Sequence, residues 1–123
     1  MAMQLLIVED SAHVRTSLIR LIECIPGVAP IHVADSLASA RQQLREMAPA
    51  LVVLDLQLPD GLGTALLETL RLLTPAVRIA VLTNEANAFN KRRCLQLGAD
   101  WFFDKSTEFE ALLQVVQALA ALP

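Results

Sequence analysis

Four glycines and six prolines are spread through the 123 residues of this chain, and nowhere are they dense enough to mark a linker, a repeat or a low-complexity segment. A surplus of basic charge is also missing. Ten Lys and Arg stand against thirteen Asp and Glu, for a net charge of -3 and a pI near 5.3. Nucleic-acid binding as the main task is therefore excluded, because phosphate backbones are held by clustered cations. Cysteine is scarce too. Cys24 and Cys94 form neither a C-x-x-C pair nor a secretory disulfide framework, and both read as reduced core thiols in apolar helical stretches. No apolar run approaches the ~20 residues that cross a bilayer, although 54% of the residues are hydrophobic. Those side chains must face one another in a single core, which a chain of this length can bury. The start, Met1-Ala2-Met3-Gln4, lacks a basic region, and Leu5 to Val8 is too short for the apolar part of a secretory signal. A cytoplasmic protein with no membrane partner is expected.

Present instead are five short runs of aliphatic and β-branched residues, each followed by a longer segment of helical period. The strands are predicted at Leu5 to Val8, Ile31 to Ala34, Leu51 to Leu54, Ile79 to Leu82 and Trp101 to Phe103. Several are apolar at every position, whereas a strand buried on one face would alternate. A parallel sheet with helices on both faces is implied. Helical spacing runs through Val14, Leu18, Leu21, Ile22 and Ile25, then Leu37, Ala40, Leu44 and Met47, then Leu66, Leu67, Leu70 and Leu73, and last Phe109, Leu112, Leu113, Val116 and Leu119. The fourth helix, about Ala86 to Leu97, has polar Asn90, Lys91, Arg92 and Arg93 at its centre and is expected to be the least firmly docked. Pro26-Gly27, Pro49, Pro75 and Gly98 follow helices, and Ser11, Ser36 and Thr107 stand where N-caps are needed. The whole chain, 1–123, reads as one doubly wound α/β domain, whose ligands bind past the carboxyl ends of the strands.

The residues at those ends are Glu9-Asp10, Asp35, Asp55, Thr83 and Lys105, in strand order. In a sheet of order 2-1-3-4-5 the first and third strands are neighbours at the switch point, so Glu9, Asp10 and Asp55 would meet. Three carboxylates in one pocket raise one another's pKa, and the ionised set calls for a cation. Hard oxygen ligands suit Mg²⁺. Taken singly, a strand-end Asp caps a turn as readily, Thr83 is an ordinary loop hydroxyl and Lys105 a solvated charge; the shared pattern is what points to a site.

Glu9-Asp10, Asp55, Thr83 and Lys105, with Leu58-Pro59-Asp60-Gly61 after Asp55, resemble the signature of response regulator receiver domains across essentially the whole chain. The resemblance implies a (βα)5 flavodoxin-like fold of strand order 2-1-3-4-5. It implies a signalling phosphoacceptor rather than an enzyme acting on other substrates. Asp55 would take a phosphoryl group from a sensor histidine kinase or a phosphotransfer protein. Mg²⁺, or Mn²⁺ in its place, would be held by Asp10, Asp55 and the Gln57 carbonyl, with Glu9 acting through water. Thr83 and Lys105 would bind phosphoryl oxygens, and Phe102 would change rotamer to alter the face built from the fourth and fifth helices and the fifth strand. That face could also form a homodimer. Gln57 and Glu85 stand where the family modulates dephosphorylation. The output domain or protein is not specified by any of these residues.

Two departures from the family pattern stand out. Ser106 follows Lys105 where many receivers have proline, which excludes a cis Lys-Pro bond and leaves the geometry of the loop open, a cis peptide before Ser106 costing ~2.5–4 kcal/mol. Gln57 and Glu85, as this chain's residues at variable positions, give no lifetime for the phosphoryl group. The alternatives are a receiver-like interaction module that is never phosphorylated and a Mg²⁺-dependent aspartyl-phosphate phosphatase. The second wants another Asp two residues after the first, where Asp55-Leu56-Gln57 has an amide. Gly61-x-Gly63 is too little for a nucleotide-binding loop. His13 and His32 lack metal-ligand spacing with the cysteines, and Lys91-Arg92-Arg93 reads either as a solvated face or as part of a partner surface.

Overall fold

The β-branched and aliphatic runs pair side by side because each is apolar on both faces and can be covered only by helices on both sides. In the computed structural model, which describes residues 3–122, the elements run β1 Met3–Val8, α1 Ala12–Ile22, β2 Val28–Ala34, α2 Leu37–Leu44, β3 Leu51–Leu54, β4 Gln57–Leu58, β5 Gly61–Leu62, α3 Gly63–Leu73, β6 Arg78–Thr83, α4 Ala88–Gln96, β7 Trp101–Asp104 and α5 Phe109–Ala120. Five strands form one sheet in the order β2-β1-β3-β6-β7, and all its pairings are parallel. Without the two-residue strands β4 and β5, which pair antiparallel as a separate ribbon, the order is the expected 2-1-3-4-5.

Alternation along each central strand builds two cores. Leu5 and Ile7 of β1 join Leu51, Val53, Ala80 and Leu82 under Leu18 and Ile22 of α1 and Leu112 and Val116 of α5. Leu6 and Val8 join Val52, Leu54, Ile79 and Val81 under α2, α3 and α4, with Leu66, Leu67, Leu70 and Cys94 among the covering side chains. Burying each such leucine contributes ~1.5–3 kcal/mol. The edge strand β2 is mostly half-buried or exposed. It carries Pro30, and the Gln43 amide of α2 donates to the Val33 carbonyl. Both features close that edge to further strand pairing.

The helix boundaries follow local chemistry. Ser11 and Ser36 cap α1 and α2 by accepting from Val14 N and Ser39 N. Thr107 does not cap α5, correcting the expectation: the helix starts after Glu108, with no side-chain cap. Its loop is instead folded by Glu108, whose Oε1 accepts from Asp104 N at 3.0 Å. α4 is capped by Asn87 and buries Cys94 alone along its nine residues. Cys94 is a core thiol as expected. Cys24 is not; it lies just past the end of α1 and is exposed, because the helical stripe turns it away from Ile22 and Ile25.

At the amino end of the sheet, Arg71 of α3 joins three segments. Its Nε donates to Gly98 O at 2.8 Å, Nη1 to Pro75 O at 2.9 Å and Nη2 to Asp100 Oδ2 at 2.9 Å. Asp100 Oδ2 also accepts from Ile79 N at 2.8 Å. Gly98 has φ +109°, and a Cβ there would meet the Arg71 side chain at 2.4 Å, so this crossing requires glycine.

Candidate functional site

Because β1 and β3 are neighbours with Val8 beside Leu54, the residues that follow them emerge side by side at the carboxyl edge. Backbone bonds carry the pairing one step further. Glu9 N donates to Ala34 O at 2.9 Å and Asp55 N to Val8 O at 3.0 Å. Glu9 and Asp55 are 2% and 6% exposed, while Asp10 faces solvent. One carboxylate oxygen of each lies within 4.8 Å of the others, as the strand order required.

Lys105 leaves β7 with its N–H on Thr83 O at 2.9 Å and lays its ammonium between the two buried carboxylates. Nζ donates to Glu9 Oε1 at 2.5 Å and to Asp55 Oδ2 at 2.9 Å. One ammonium among three carboxylates leaves an excess of negative charge. Burial is the largest influence on Glu9 and pushes its pKa up, against the opposing bonds from Lys105 and Ser11 N; the charge of Asp55 adds to the rise. For Lys105 burial alone would lower the pKa, but its two carboxylate partners outweigh it and the value is raised.

Around this centre, Asp55 Oδ1 accepts from Gln57 N at 3.4 Å, and the Gln57 side chain is exposed. Thr83, fully buried, accepts on Oγ1 from Glu85 N at 3.1 Å and keeps its own hydroxyl proton to donate. Glu85 is exposed, and its carbonyl accepts from Asn90 Nδ2 at 2.8 Å, which ties the loop to α4. Phe102 is half-buried and packs against the core beneath α2, α3 and α4. Among the described residues the only cis peptide precedes Pro30, so Lys105–Ser106 is trans. Ser106 bonds Asp104 Oδ1 through both its N–H, at 2.9 Å, and its hydroxyl, at 2.6 Å. A proline would have no N–H for the first of these bonds.

Two contributors escaped the sequence reading. Arg15 of α1 reaches back so that Nη1 donates to Glu9 O at 2.8 Å and Asp10 O at 2.9 Å, clamping the acidic turn. Gly63 opens α3 against the turn that follows Asp55. Its N–H donates to Leu56 O at 2.7 Å, and a Cβ would sit 2.3 Å from Asp55 O. The Gly61-x-Gly63 spacing was the available signal; it marks close backbone approach, not a nucleotide loop.

Beside the Lys105 ammonium, the three carboxylates of this pocket offer hard oxygen donors, Asp10 is open to solvent, and the cluster carries more negative than positive charge. Such a set fits a divalent cation of the Mg²⁺ or Ca²⁺ kind. A doubly wound parallel sheet with an acidic, divalent-metal type of site at its switch point and a strand-end lysine beside it defines the receiver class of signalling domain. Comparison bears this out: the response regulator receiver domain model matches residues 5–117, and the chain belongs to that family, the Asp-phosphorylated domains of two-component systems. It is 36% identical over 104 residues to a protein-glutamate methylesterase/protein-glutamine glutaminase of Xanthomonas campestris pv. campestris, covering 83% of this chain and 29% of that protein. Among solved structures, a LuxR-family two-component response regulator from Aurantimonas sp. SI85-9A1 superposes with TM-score 0.88 at 30% identity, over 98% of this chain and 86% of that one. A Burkholderia pseudomallei response regulator with a phosphorylated aspartic acid and a calcium ion gives TM-score 0.83 at 26% identity, over 97% and 69%. The chain spans only part of the length of the curated relatives it matches, 29% of the Xanthomonas protein and 56% of a putative transcriptional regulator of Pseudomonas aeruginosa.

Proposed function

We propose that Asp55 accepts a phosphoryl group from a phosphohistidine of a sensor kinase or phosphotransfer protein, and that Mg²⁺, with Mn²⁺ as a substitute, supports the transfer. The observation that carries the reading is the buried Asp55 carboxylate at the tip of β3, held by Lys105 and flanked by Glu9 and Asp10. A carboxylate oxygen of Asp55 attacks phosphorus. The P–O bond forms as the P–N bond to the donor imidazole breaks, and that nitrogen keeps the electron pair. Asp10, Asp55 and the Gln57 carbonyl would hold the cation, with Glu9 acting through water; when bound it neutralises charge on the carboxylates and the incoming phosphoryl group.

Lys105, which now holds Glu9 and Asp55, turns its ammonium to one phosphoryl oxygen, and Thr83 donates its hydroxyl proton to another. Movement of Thr83 would pull the turn that Asn90 ties to α4. Phe102 would follow, altering the α4–β7–α5 face that passes the signal on or forms a dimer. Such a coupling is typically worth ~1–3 kcal/mol, a population shift rather than a new fold. Gln57 and Glu85, both exposed beside the site, would set how readily water reaches the acyl phosphate. The domain changes no substrate but its own Asp55, and its output lies in a separate protein or in chain outside these residues. A cytoplasmic setting fits its two free thiols.

Incubating the protein with acetyl phosphate and Mg²⁺ should add one phosphoryl mass at Asp55, and chelation or Asp55→Asn should abolish it. Folded protein that takes up no phosphoryl group from a competent donor would instead be an interaction module. Continuous turnover of phosphate esters would make it a phosphatase.

A further inference from the structure

The first turn of α2 is not capped by its own neighbourhood alone. Ser36 supplies the local cap, its hydroxyl accepting from Ser39 N at 3.0 Å. The two amides that precede Ser39 are taken from across the fold. Asp60 Oδ1 accepts from Leu37 N at 2.8 Å and Oδ2 from Ala38 N at 3.0 Å. A carboxylate suits that position because helix N-termini present unpaired N–H groups and a positive dipole end. The two backbone bonds hold the Asp60 pKa below its usual value, first from Leu37 and then from Ala38, so it is ionised at neutral pH.

Asp60 lies five residues beyond Asp55 on a segment with little slack. Gln57 N rests on the Asp55 carboxylate, β4 and β5 pair Gln57 with Leu62 and Leu58 with Gly61, and Leu56 and Leu58 are buried in the same core as Leu37. Gly61 closes the contact from above: a Cβ there would lie 2.8 Å from Leu37 Cδ1. The stretch is thus bonded at one end to the Asp55 carboxylate and at the other to the first amides of α2. Packed segments of this kind shift as units between discrete arrangements rather than stretch.

We infer that the β4–β5 ribbon carries the state of Asp55 to the first turn of α2, giving the domain a second responsive element on the opposite side from α4 in strand order. This rests on the phosphoacceptor reading of Asp55. A phosphoryl group on Asp55 offers Gln57 N new acceptor oxygens beyond Oδ1, the ribbon shifts as that N–H turns to one of them, and Asp60 loosens its hold on Leu37 N and Ala38 N.

Amide hydrogen exchange at Leu37 and Ala38 tests this, read by NMR in the presence of Mg²⁺ with and without excess acetyl phosphate, while intact mass on the same sample gives the occupancy of Asp55. With Asp55 modified, both amides should exchange roughly five-fold faster or more. In Asp60→Asn, whose side chain offers one carbonyl oxygen for two amides, exchange there should be fast from the outset and gain nothing further from phosphorylation. Unchanged or slower exchange on fully modified wild-type protein overturns the inference and leaves Asp55 as phosphoacceptor intact. A full response in Asp60→Asn also overturns it, since the link would not run through that carboxylate. If no mass is added to Asp55, the phosphoacceptor reading fails first and the inference falls with it.

Discussion

Lys105 and Glu9 set the pH behaviour of the site. Glu9 has a raised folded pKa, so between its ordinary value of 4.5 and that raised value the folded state holds a proton that the unfolded chain has lost. Its contribution to stability therefore falls as pH rises through this window. Lys105, raised above 10.5, stabilises fully below that pH and stops doing so as pH climbs through its folded value. Urea unfolding of the wild type and Glu9→Gln should show a stability difference that declines as pH rises from 4.5 to the raised folded pKa of Glu9 and is level above that value until Lys105 titrates. A difference that never changes with pH would remove burial as the cause. That Glu9, Asp10, Asp55, Thr83 and Lys105 lie at the carboxyl edge of the sheet was legible because each stands within two residues of the end of an apolar run. What Lys105 touches was not, since its partners lie 96 and 50 residues away in sequence and their meeting depends on strand order. Arg15 was hidden for a related reason: it bonds carbonyls, which leave no mark in residue types. Cys24 was misread because an apolar stretch does not say which side of the helix a residue one turn from Arg20 will take.

Among the elements, β1, β3, β6 and β7 were readable to within two residues at either end, apolarity on both faces being a signal that needs no partner to interpret. β4 and β5 were not readable. Two-residue strands carry no period, and Leu58-Pro59-Asp60-Gly61 registered only as a motif. α5 lacks the cap expected from Thr107, since the turn before it is held by Glu108 and Asp104. Of the four glycines, Gly63 has the closest approach, where α3 meets Asp55. Gly63→Ala should cost about 1–3 kcal/mol, because the clash is with backbone and not with a side chain that can turn away. The same change should lower the yield of phosphorylated Asp55, checked by urea unfolding alongside intact mass. Normal stability with normal phosphorylation would mean the turn has room that the geometry denies it.

Across the whole molecule, stability resides in two cores divided by one sheet, and surface apolarity contributes little. Leu66 is fully buried and Leu72, six residues on along α3, is 83% exposed. Leu66→Ala should therefore destabilise by about 2–5 kcal/mol and Leu72→Ala by no more than about 0.5 kcal/mol, as read from urea midpoints at equal m. Comparable losses from the two would mean that Leu72 packs against something this chain does not itself provide. The doubly wound architecture was legible from alternation of strand and helix alone, whereas the choice among strand orders came from resemblance, because parallel pairing is a long-range matter. Arg71 lies at the far pole from Asp55 and grips three segments there, one of them through a crossing only glycine permits. Under the proposed switch, motion begun at the acidic pole should pivot about this base. Substitutions that retune signalling should gather toward the acidic pole, while those at Arg71, Gly98 or Asp100 should weaken every conformation of the protein alike.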